Sequence, residues 1–149
     1  MYRKILIATD GSDLASKAID HGISLAKATG ASVIFVTVTE IWSAIEMAAD
    51  AINMATSNSL EKYEEAAAHS AQKILAAARA KAQDAGIECE TIHVPDRAPA
   101  EGIIATTDAQ GCDLIVMASH GRRGLNRVVL GSQTVEVLSY SKVPVLVLR

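Results

Sequence analysis

Five short apolar runs rich in β-branched residues recur along this chain, and between them apolar residues return every three or four positions. The runs are KILIAT (4–9), SVIFVTV (32–38), ECETIHV (88–94), DLIVMA (113–118) and VPVLVLR (143–149). Runs this short, closed by turn residues, read as strands, and the longer period between them reads as helix. Their alternation is the tightest constraint on the fold, because parallel strands need a crossover long enough to hold a helix. The expectation is an α/β fold: an open five-stranded parallel sheet, doubly wound, in strand order 3-2-1-4-5 with helices on both faces. A length of 149 residues with 50% hydrophobic content suits one domain over residues 1–149. Aromatics are only 3%, so the core must be aliphatic and small, as suits helices laid on a sheet.

Local signals place the elements. Asp10-Gly11-Ser12 makes a turn and an N-cap after the first strand, and Ala15, Ala18, Ile19, Gly22, Ile23 and Ala26 follow at helical spacing until Thr29-Gly30. The second strand is apolar on both faces and belongs in the middle of the sheet. A long amphipathic helix is expected over 59–85, with Leu60, Tyr63, Ala67, Ile74 and Ala78 on its apolar side and Gly86 ending it. The third strand alternates, which places it near an edge. Pro99 opens a helix that runs through Ile103 and Ile104 to Gln110-Gly111, and a last helix covers 132–140. Residues 40–58, with Trp42, Met47 and Met54, show no clean cap and read equally as a short helix or a flap.

Charge and chemistry-bearing residues narrow the function. A net charge of −3 without a basic block disfavours a general nucleic-acid binder, though it leaves room for one phosphate site. Cys89 and Cys112 have no metal-ligand spacing and read as reduced core thiols; His21, His69 and His93 fall in separate elements. No signal peptide or membrane span is expected, and a cytoplasmic address follows.

In an open α/β sheet the ligand sits beyond the carboxyl ends of the strands where the order reverses, here between the first and fourth. Thr9-Asp10-Gly11-Ser12 and Ala118-Ser119-His120-Gly121 would border that crevice. The stretch SHGRRGLNRVVLGSQT (119–134) is far longer than a chain reversal requires. Gly121 and Gly124 let backbone approach an anion, Gly131-Ser132 opens a helix whose free N–H groups favour negative charge, and Ser132 and Thr134 add hydroxyls. The spacing is neither GxxxxGK[ST] nor GxGxxG. Two readings stand at this point: a phosphate cradle, or a long connection with turn glycines and Ser132 as an ordinary N-cap. Arg122, Arg123 and Arg127 fit either phosphate contacts or solvent. His120 suggests catalysis, but no nucleophile pairs with it in the sequence.

The segments YRKILIATDGS, PAEGII, CDLIVMASHGRRGLNRVVLGSQTVEVL and VPVLVL, in that order across the whole chain, resemble the universal stress protein family of the UspA type. The glycine-loop motif of its ATP-binding branch is G-x2-G-x9-G-[ST]. Gly121, nine residues and Gly131-Ser132 match; Ala118 stands at the first glycine. The resemblance implies ATP, ADP or AMP as ligand, with Mg2+ riding on its phosphates, Asp10 on the ribose, and the Val38 backbone on adenine. It further places Met117 beside the base, and Ala118, Gly121, Gly131, Ser132, Gln133 and Thr134 around the phosphates. Ala118 would weaken that cradle if the position needs a positive φ.

The last strand is apolar on both faces yet falls at a sheet edge, and the family's dimers use this strand, so a homodimer is expected. The function implied is a nucleotide-binding stress or regulatory module with at most slow ATP hydrolysis. The alternative is a nucleotide-free interaction or chaperone-like homodimer of the same family; a true enzyme ranks third.

Overall fold

A computed structural model describes residues 1–40, 58–122 and 129–149. Among them nine elements alternate: β1 (Lys4–Ala8), α1 (Asp13–Thr29), β2 (Ser32–Thr39), α2 (Asn58–Asp84), β3 (Cys89–Pro95), α3 (Pro99–Gln110), β4 (Leu114–Ala118), α4 (Ser132–Tyr140) and β5 (Val145–Leu148). The strands form one parallel sheet in the order β3-β2-β1-β4-β5, the expected topology with the alternating strand at an edge. The segment 40–58 left open in the sequence lies, beyond Glu40 and before Asn58, outside the described residues, as do Arg123, Gly124 and Arg127.

Side-chain alternation along the strands splits the core in two. Ile5, Ile7, Val33, Phe35, Leu114 and Val116 meet Ala18, Ile19, Ile23 and Ala26 of α1 and Leu75, Ala78 and Ala82 of α2. Leu6, Ile34, Val36, Ile115 and Met117 meet Ala100 and Ile103 of α3 and Val137 of α4. Gly22 belongs to this packing: a Cβ there would press on Ile7. The signals at the ends of α1 act as read. Ser12 Oγ accepts from Ala15 N at 3.2 Å, and Gly30, at φ 71°, turns the chain so that the cap N–H reaches the Ala26 carbonyl.

Two expectations need adjustment. Asp113 is not a strand residue: its carboxylate accepts from the backbone N–H groups of Arg3 and Lys4 at 2.9–3.2 Å, tying the start of β1 to that of β4. The buried stripe of α2 is Ala71, Leu75, Ala78 and Ala82. Ala78 belongs to it as expected, but Tyr63, Ala67 and Ile74 are only half buried and line a cleft instead. At about 1.5 Å per residue, 27 helical residues span roughly 40 Å, more than an eight-residue strand of about 26 Å can cover. The N-terminal half of α2 therefore overhangs the sheet's carboxyl edge.

Candidate functional site

The strand order reverses between β1 and β4, and the chain just past β1 is pinned there. Thr9 N donates to Val36 O at 2.9 Å, and Thr37 Oγ1 donates to Thr9 O at 2.9 Å. Asp10 follows with its carboxylate divided between two segments. Oδ1 accepts from Ser12 N at 3.0 Å, and Oδ2 accepts from Arg122 N at 2.8 Å. One side chain thus orders the turn into α1 and clamps the loop leaving β4. The absence of a side chain at Gly121 is what permits this, since a Cβ there would lie 2.8 Å from Asp10 Oδ2.

The other border is built on Ser119. Its carbonyl accepts from Gly131 N at 2.9 Å and from Thr134 Oγ1 at 3.0 Å, and its N–H donates to Leu148 O at 2.7 Å. Those bonds draw the start of α4 against the end of β4. Gly131, at φ −61°, is the N-cap, and no side chain caps the helix. Ser132 is therefore the first helical residue rather than the cap that the structural reading of the sequence assigned to it. The first N–H groups of α4 keep their capacity for an anion. At Gly131 the constraint is space: a Cβ would stand 3.1 Å from Ser119 O.

Between these borders lies a cleft of about 910 Å³, at the upper end of the size usual for small-molecule sites. Thr37, Thr39 and His93 form part of its floor; Tyr63, Ala67, Ala71 and Ile74 of α2 wall one side; Gly131, Ser132, Gln133 and Thr134 close the other. His93 Nε2 lies 2.8 Å from Thr39 Oγ1. Burial pushes the His93 pKa down, against a smaller upward pull from the Asp96 carboxylate. Asp96 also borders the cleft and holds a left-handed backbone, φ 62°. Asp10, Glu40, Glu64, Asp96 and Arg122 supply the charges among the described lining residues, and no cluster of His, Cys, Asp and Glu fit to hold a metal occurs among the described residues.

The structure brings Asp10, Val38, His120, Gly121, Gly131, Ser132, Gln133 and Thr134 onto this cleft. It does not bring all the sequence candidates. Thr9 and Ser119 are buried and hold backbone in place; Met117, expected beside the base, packs into the α3–α4 core; Ala118 ends β4, paired with Leu148. Gly124 lies outside the described residues. Val38 turns its side chain toward Gly102, leaving backbone for the cleft, and Gln133 Oε1 accepts from Ala100 N at 2.9 Å, which caps α3. Ala118 carries no conformational penalty, because Asp96 is the one non-glycine with positive φ among the described residues. Sequence reasoning missed His93, Asp96 and Thr39, and placed Tyr63, Ala67 and Ile74 in the core; the excess length of α2 was the available signal. Ser119 Oγ lies 3.0 Å from His120 Nδ1, a pairing the sequence did not suggest, and at 2% exposure that hydroxyl is out of a substrate's reach.

A parallel sheet of this order, with the end of β4 and an uncapped helix facing one crevice, defines an open, doubly wound α/β architecture. The model of the universal stress protein family matches residues 1–149, and the chain belongs to that family. It is 32% identical over 149 residues to the universal stress protein YxiE of Bacillus subtilis, covering 100% of both chains. The solved structure of MJ0577 of Methanocaldococcus jannaschii superposes with a TM-score of 0.83 at 27% identity, over 99% of this chain and 96% of that one. A universal stress protein crystallised with cAMP superposes with a TM-score of 0.68 at 25% identity, over 98% of this chain and 95% of the other.

Proposed function

We propose that the cleft binds an adenine nucleotide and that the protein acts as a nucleotide-responsive regulatory module. The observation that carries this reading is the uncapped N-terminus of α4 opening onto a cleft of about 910 Å³ at the reversal of strand order. The phosphates sit against the N–H groups of Ser132 and Gln133 and the Ser132 hydroxyl. The ribose meets Asp10, whose oxygens retain lone pairs beyond the two backbone bonds. The base lies toward the Val38 backbone under α2, where Ala67, Ala71 and Ile74 offer apolar contact. The cAMP complex of a relative supports the adenine assignment for this chain. A divalent cation would ride on the phosphates, and turnover is at most slow.

Release of small molecules by heating, separated by chromatography, and calorimetric titration with ATP, AMP and cAMP, with and without Mg2+, test the reading. Retained nucleotide or a saturable binding heat is the expected result; neither, across several temperatures, would refute it. A homodimer through β5 accompanies this reading, because Leu146 on that edge strand and Val135, Leu138 and Tyr140 on α4 remain exposed. Sedimentation of Leu146→Arg tests it: the variant is expected to be monomeric, and an unchanged mass would exclude this edge. If nucleotide is absent while the dimer persists, the nucleotide-free interaction module is the better description.

A further inference from the structure

The Ser119–His120 pair points to a role neither residue plays alone. Ser119 is held by three partners: Leu148 O at 2.7 Å, Gly131 N at 2.9 Å and Thr134 Oγ1 at 3.0 Å. These bonds to β5 and to the first turn of α4 fix its backbone, and at 2% exposure its side chain is buried. A buried hydroxyl proton needs an acceptor, and among the described residues the partner of Ser119 Oγ is His120 Nδ1, at 3.0 Å. When the hydroxyl donates to Nδ1, the proton of the neutral imidazole resides on Nε2. His120 lines the cleft together with Gly121, Gly131, Ser132 and Thr134. The ring atom left for a ligand is thus an N–H donor at the end of the cleft where α4 begins.

We propose that Ser119 is a positioning residue that locks His120 in its Nε2-protonated tautomer, and that His120 Nε2–H donates to a phosphoryl oxygen of the bound nucleotide. The inference rests on the nucleotide reading above and assigns within it the side chain that separates a nucleotide from its nucleoside. Backbone N–H groups at a helix start attract any anion of suitable size, whereas a ring fixed at one nitrogen presents its other nitrogen in one direction. Ser119 never touches the ligand: its effect passes through the imidazole. Removing the hydroxyl frees the ring to rotate and to change tautomer, so the donor is lost for part of the population.

The test is calorimetric titration of the full chain with AMP and with adenosine, for the wild type, Ser119→Ala, His120→Phe and the double variant, with melting temperatures measured alongside. His120→Phe keeps a planar aromatic ring but has no ring nitrogen. A hydrogen bond to a charged phosphoryl oxygen predicts about a tenfold or greater loss of AMP affinity in His120→Phe and a loss of several-fold in Ser119→Ala. Adenosine affinity stays the same in both, and the double variant matches His120→Phe, because Ser119 has nothing left to position. A loss shared equally by AMP and adenosine would mark a structural effect and overturn the proposal. So would unchanged AMP affinity in Ser119→Ala, or additive losses in the double variant. If the wild type binds adenosine and AMP equally, His120 has no phosphate contact; if it binds neither, the nucleotide reading itself fails, which is a different result.

Discussion

Replacing Gly121 by alanine probes the clamp that joins the two borders of the cleft. The added Cβ would stand 2.8 Å from Asp10 Oδ2, inside any contact a real methyl group makes, so one of the two must move. Asp10 is the movable partner, but its oxygens are engaged by Arg122 N at 2.8 Å and Ser12 N at 3.0 Å. Shifting the carboxylate weakens one bond strongly and the other slightly. For a half-exposed, charge-assisted bond that is about 1–2 kcal/mol. In a chain of this length the loss lowers the melting temperature by about 2–8 °C. Asp10→Asn interrupts the same clamp, because the amide of its side chain can meet one of the two backbone N–H donors only donor to donor. The two substitutions therefore overlap: thermal unfolding followed by circular dichroism should give a double variant no less stable than the worse single one. If Gly121→Ala melts with the wild type, or if the two losses add fully, the clamp does not work as described.

Other expectations follow from the same packing. Ala118→Gly restores the family's first motif glycine, yet residue 118 is paired with Leu148 in β4 and needs no positive φ. Titration calorimetry should show no gain in nucleotide affinity, and thermal unfolding a loss of about 0.5–1 kcal/mol from the more flexible unfolded chain. Burial raises the Cys112 thiol from 9.0 to about 11, so the unfolded chain ionises first and stability falls as pH rises from 9.0 towards 11, by about 2–3 kcal/mol in all. Urea titrations across that range should show a smaller fall in Cys112→Ala than in the wild type, the remainder including the Cys89 thiol, which burial also raises. His93 has a pKa lowered from 6.5, so the unfolded state takes up its proton first and stability declines as pH drops below 6.5; His93→Gln should flatten that limb.

The strands, the two core faces and the turn at Asp10 were legible because each rests on neighbours in sequence. Alternation along β1 sends Ile5 and Ile7 to one face and Leu6 to the other, and Ser12 needs only Ala15 three residues on to act as a cap. Parallel pairing and the rule of crossover handedness then left few topologies besides the observed order. The cleft was legible in its two borders and not in its walls. Tyr63, Ala67 and Ile74 fit the apolar face of an amphipathic helix equally well whether that face meets a sheet or overhangs its end, since helical periodicity records direction around the axis and not what lies opposite. His93 and Asp96 gave no sign, because the register that sets His93 beside Thr37 comes from pairing of β2 with β3.

Sequence alone therefore determined the α/β class, the strand order and the position of the crevice at the reversal of that order, since these follow from period, turn chemistry and chain direction. Tertiary structure decided which residues face that place. Met117 went to the core, Ser132 yielded the cap position to Gly131, Ser119 became the support of His120, and Asp10 was shared between two loops. Each of those outcomes depends on contacts between residues far apart in the chain, Asp10 with Arg122 and Ser119 with Leu148 among them, and a linear pattern carries no distance between such pairs.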